Sequence, residues 1–179
     1  GDVCQELDAY SRWVGRTGDA DSPAALALLP PELAGVRESR ESLALFQWLD
    51  GHLDGRQNAR CPAPELVAEW PAKTPGKLAR REAEALFRFC AQRGIGIEPD
   101  IRWGGAHLHR TGTAVLFSLG EEPEPDGPSE AFLQAALVLL LAAAVSTADG
   151  DVSEAEKRHL AEHLEQGLTL SALERARLE

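Results

Sequence analysis

Apolar positions along this chain recur mostly at helical spacing. In residues 2–16, Val3, Leu7, Tyr10 and Val14 fall on one stripe and predict an amphipathic helix. Ser22-Pro23 reads as an N-cap with proline at the first helical position, opening a short AALALL helix that Pro30-Pro31 stops. From Arg37 to Leu53 the expected stripe is Leu43, Phe46, Leu49 and Leu53, interrupted or ended near Gly51. Residues 58–75 hold Pro62, Pro64, Pro71 and Pro75 and read as irregular, with one helical turn around Leu66. Lys77 to Arg93 reads as a helix with Leu78, Ala85, Leu86, Phe89 and Cys90 on its inner face and Gly94 as its C-cap.

The period then changes. Ile95–Trp103 and Ala106–Leu119 alternate rather than spiral, and Thr111-Gly112 lies between two such runs. They predict a small antiparallel β-hairpin over about 97–119, or a three-stranded patch. Gly120 to Pro128 is an acidic, proline-rich linker. Between Ala131 and Val145 the only polar side chain is Gln134 and no residue is charged. That run is shorter than the ~20 residues needed to cross a bilayer, so it predicts a buried core helix wrapped by others. Ser129 is its N-cap and Gly150 its stop. Ser153 and Glu156 form an S-x-x-E capping box that opens a second, amphipathic helix, broken by Gly167, and Ser171 starts another.

Together these elements predict a mainly α fold: a bundle of six or seven helices around a buried central helix at about 129–148, with a minor β-hairpin. The expected organisation is a helical region with the hairpin (1–119), the linker (120–128) and a second helical region (129–179), the alternative being that the two regions pack as one domain.

Composition narrows the function classes. A net charge of −11 excludes nonspecific nucleic-acid binding and an electrostatic hold on anionic lipid. Cys4, Cys61 and Cys90 are odd in number and form no CxxC pair, which reads as reduced thiols in a cytosolic compartment. The first residues have neither a basic nor an apolar leader segment. A glycine start without any methionine reads as a piece excised from a longer chain.

Candidate chemistry concentrates at the helix corner. Aligned on the 12-residue calcium loop, Asp149 takes position 5, Gly150 position 6, Asp151 the position 7 carbonyl, Ser153 position 9 and Glu156 the bidentate position 12. Positions 1 and 3, normally carboxylates, are Val145 and Thr147, so the loop alone predicts weak binding. The plainer reading is a helix cap beside a solvated acidic turn. His159, Glu162 and His163 match H-x-x-E-H, a zinc-peptidase pattern that also needs a downstream carboxylate from Glu165, Glu174 or Glu179; histidines near the end of an exposed helix are far more often plain surface residues. His107-x-His109 offers two imidazoles on one strand face, and Lys77, Arg80, Arg81 and Arg88 form a basic helix face interleaved with Glu82 and Glu84. No phosphate loop or nucleophile elbow is present.

An apolar, alanine-rich helix ending in A-D-G-x-V-S-x-x-E resembles the TerB-like tellurite-resistance family. Ala148, Asp149, Gly150, Val152, Ser153 and Glu156 carry the resemblance, over about residues 129–175. IGIEPDIRWGG…GTAVLFSL is similar to the segment preceding these helices in multidomain bacterial relatives. The resemblance implies a cytoplasmic, helical, non-enzymatic stress-response module, peripheral to the inner membrane, that acts through protein partners in a membrane-associated complex. It implies a divalent cation (Ca, Mg or Mn) held by Asp149 and Glu156, with Asp151 as an addition. The family's second A-D-G…E pair is absent from residues 1–179: Asp50-Gly51 has Gln57 at the Glu156-equivalent spacing. The cation is therefore expected to bind weakly or not at all to this stretch alone.

Overall fold

The computed structural model describes residues 3–30, 33, 39–72, 74, 78–108, 112–120, 125, 127–149 and 169–178, with backbone only for residues 41 and 142–149. The chain divides into two compact units, residues 1–121 and 122–179.

Unit 1 is a mixed α/β structure rather than part of a helical bundle. Its elements are α1 (Val3–Thr17), α2 (Pro23–Leu26), α3 (Arg40–Leu53), β1 (Asn58–Pro62), α4 (Ala63–Glu69), α5 (Arg80–Ala91), β2 (Ile95–Glu98), a 3₁₀ turn (Ile101–Trp103) and β3 (Thr113–Ser118). The strands form an antiparallel sheet in the order β1-β3-β2. In register, Ala59 faces Leu116, which faces Ile97 on its other side, and Cys61 faces Ala114. Helices α3, α4 and α5 cover this face, and Leu45, Leu49, Leu66, Leu86 and Phe87 fill the space between. Phe46 stacks on Phe89 with centroids 4.9 Å apart, and Trp70 meets Phe89 edge-on at 6.0 Å.

Local signals explain most of the helices. Ser22 Oγ accepts the Ala25 N–H and Pro23 occupies the first turn of α2. Ser39 and Ser42 cap α3 reciprocally: Ser39 Oγ accepts the Ser42 N–H and Ser42 Oγ accepts the Ser39 N–H. Helix α3 runs through Gly51 without interruption and closes on Asp54, which takes the left-handed conformation. Its inward face is Ser42, Leu45, Phe46 and Leu49; Leu43, expected inside, is exposed. Glu82 accepts the Ala79 N–H at the start of α5, and Gly94 takes the left-handed conformation after its end, as expected. Gln92 Nε2 donates to the Leu29 carbonyl at 3.0 Å, tying the end of α5 to the α2 loop.

Two expectations need correction in unit 1. Residues 58–69 are not irregular: they form β1 and α4, because Pro62 and Pro64 sit at the start of α4, where a missing N–H costs nothing. Of the hairpin and the three-stranded patch expected over about 97–119, a three-stranded antiparallel sheet forms, but its third strand is β1, from residues 58–62, paired on the other edge of β3, and β2 and β3 are joined by a long connection through the 3₁₀ turn. The Phe117 ring lies over Gly96, so a Cβ at residue 96 would run into the ring atoms. Gly96→Ala is expected to destabilise unit 1 by about 1–3 kcal/mol, the usual cost of overpacking, read as a lower urea midpoint in tryptophan fluorescence.

Unit 2 contains α6 (Glu130–Asp149) and α7 (Ala172–Leu178). Phe132, Ala135, Leu170 and Leu173 are buried there. The buried central helix is overturned. Leu133, Leu137, Val138, Leu140 and Leu141 are exposed, from 37% for Val138 to 68% for Leu140, so between residues 133 and 141 one side of α6 faces solvent. No helix among the described residues is long and apolar enough to cross a membrane. The acidic corner, the amphipathic helix expected from about Glu154 and most of the linker lie outside the described residues.

Candidate functional site

Of the sequence-predicted metal residues, Asp149 is the last residue of α6, so the helix reaches the corner as expected; its side chain, Asp151 and Glu156 lie outside the described residues. The same holds for His159, Glu162, His163 and Glu165, and for His109 of the His107-x-His109 pair. Among the described residues no group of three or more His, Cys, Asp or Glu side chains is placed to hold a metal ion.

Glu174 is described, and its carboxylate is engaged elsewhere. Oε2 accepts the Ser171 N–H at 2.9 Å and Ser171 Oγ accepts the Glu174 N–H at 3.2 Å, a reciprocal capping box for α7. Oε1 accepts the Ser129 N–H at 3.1 Å, and Ser129 Oγ accepts the Phe132 N–H at 3.1 Å as the N-cap of α6. Thus one buried carboxylate clamps the starts of two helices. Burial alone would raise its pKa, but hydrogen bonds from Ser129 and Ser171 outweigh it and hold the carboxyl below the usual range. The clamp brings Ser171 to the N-terminal end of α6, while the chain leaves that helix at Asp149, its other end.

In unit 1 the conspicuous polar feature is the knot at Glu98-Pro-Asp-Ile-Arg102. Asp100 is 0% exposed. Its Oδ1 accepts the Arg102 N–H at 2.8 Å, and its Oδ2 pairs with Arg102 Nη2 at 2.7 Å. The Asp100 N–H donates to Glu98 Oε2 at 2.8 Å, and its carbonyl accepts from Trp103 and Gly105. The Arg102 guanidinium lies over the Phe87 ring, 5.8 Å from its centroid. Every one of these bonds shapes the loop itself.

Nucleophilic chemistry is not supported at the two buried thiols. Burial, with Glu65 adding to it, pushes Cys61 up to about 11; burial, only partly offset by Arg102, pushes Cys90 up to about 12. Both therefore stay protonated and unreactive at neutral pH. His52 closes α3, its Nδ1 3.0 Å from the Trp48 carbonyl and its ring 3.9 Å from the Trp48 ring. In the basic helix, Arg80 pairs with Glu84 at 3.1 Å on an exposed face, a contact of small energetic weight.

No family model, curated protein or solved structure matches this chain.

Sequence reasoning missed three features: the Asp100–Arg102 pair, the double use of Glu174 and the open side of α6. For Glu174 a signal existed, since Ser171-x-x-Glu174 is a capping-box pattern. The link to Ser129 is 45 residues distant and leaves no local trace.

Proposed function

We propose that the chain is a non-enzymatic, TerB-like stress-response module of the tellurite-resistance type. Its 149–156 corner supplies part of a divalent-cation site, weak in this stretch alone, and it acts through protein partners in the cytoplasm, peripheral to the inner membrane. The observation that carries this reading is the A-D-G-x-V-S-x-x-E stretch standing where α6 ends: the helix runs unbroken to Asp149, immediately before Gly150. A cation there would draw oxygen ligands from Asp149, Asp151 and Glu156. Its occupancy would couple the end of α6 to the segment that follows, as calcium does in sensor proteins. The protonated, buried Cys61 and Cys90 and the exposed ion pair on α5 lend no support to a catalytic reading of unit 1.

Calorimetric titration of chelator-treated protein with Ca²⁺, Mg²⁺, Mn²⁺ and Zn²⁺ tests the metal. Asp149→Ala and Glu156→Ala, each still folded, are expected to weaken binding at least about tenfold, the order of one lost charged ligand or about 1.4 kcal/mol. Unchanged affinity in both variants would sink the metal reading.

The exposed side of α6 favours a second reading, a metal-free interaction domain in which the corner only caps helices. Under it, Glu156→Gln leaves partner binding intact. The zinc-hydrolase reading of His159, Glu162 and His163 gains nothing from Glu174, whose two oxygens serve the serine caps. Stoichiometric zinc in the purified protein is the measurement that would revive it.

A further inference from the structure

We draw no further inference here: the strongest candidate, the exposed apolar side of α6 between Leu133 and Leu141, carries nothing because nothing in the structure shows what covers it.

Discussion

Asp100→Ala is expected to lower the stability of unit 1 by about 3–5 kcal/mol, the range for breaking a buried ion pair from one side. The carboxylate it removes is fully buried and meets the Arg102 backbone N–H, Nε and Nη2 within 3.2 Å. Arg102, with a side chain only 15% exposed, would keep its charge beside Phe87 and Cys90 after losing the Asp100 carboxylate. Arg102→Met in the Asp100→Ala background should recover part of the loss, because removing both charges leaves less to compensate than removing one. Urea unfolding followed by tryptophan fluorescence reads this cleanly, since Trp13, Trp48, Trp70 and Trp103 all lie within residues 1–121. A loss under about 1 kcal/mol would mean that the pair is solvated and that the loop is held by its backbone bonds, such as Gly105 N–H to the Asp100 carbonyl.

What was legible in the sequence was whatever a few neighbouring residues decide. Ser22-Pro23, Gly94 and the Ser129 and Ser171 starts were readable because a cap is made within one turn of chain. In the α3 stripe Phe46 and Leu49 are buried as expected and Leu53 packs against the core; only Leu43 is out of place, because the serine pair that caps the helix turns Ser42 inward instead. Strand β1, NARCP, offers only Ala59 and Cys61 to the core. Its strand character comes from pairing with β3, some fifty residues away, and no local period announces that. Helix α6 was visible as a helix, yet its composition is apolar on every side, so the sequence held no clue to which side packs and which faces solvent. The expectation of full burial followed from that uniformity. For the candidate site, the end of α6 at Asp149 was legible, whereas the destination of the Glu174 carboxylate depends on a contact across 45 residues.

That carboxylate sets the second large effect. Glu174→Gln is expected to destabilise unit 2 by about 1.5–3 kcal/mol, the usual worth of hydrogen bonds to a charged acceptor, because two helix starts lose their anionic partner together. The pH dependence follows from the direction of the shift. The folded-state pKa lies below that of the unfolded chain, so the contribution is fully present above the unfolded carboxylate value of about 4.3. It is lost as pH falls below that value and through the folded one, where the proton enters a site built to receive N–H and O–H donors. Glu174→Gln should flatten this acid limb, since its amide has no proton to take up. Unit 2 contains no tryptophan, so the readout is amide hydrogen exchange. In the native protein the Phe132 and Glu174 amides, both capped by serine hydroxyls, should exchange faster as the carboxylate protonates, after correction for the intrinsic pH dependence of exchange. In Glu174→Gln they should start fast and show no such step. Protection at Phe132 that survives both acid and the substitution would show that Ser129 caps α6 unaided, leaving Glu174 to serve α7 alone.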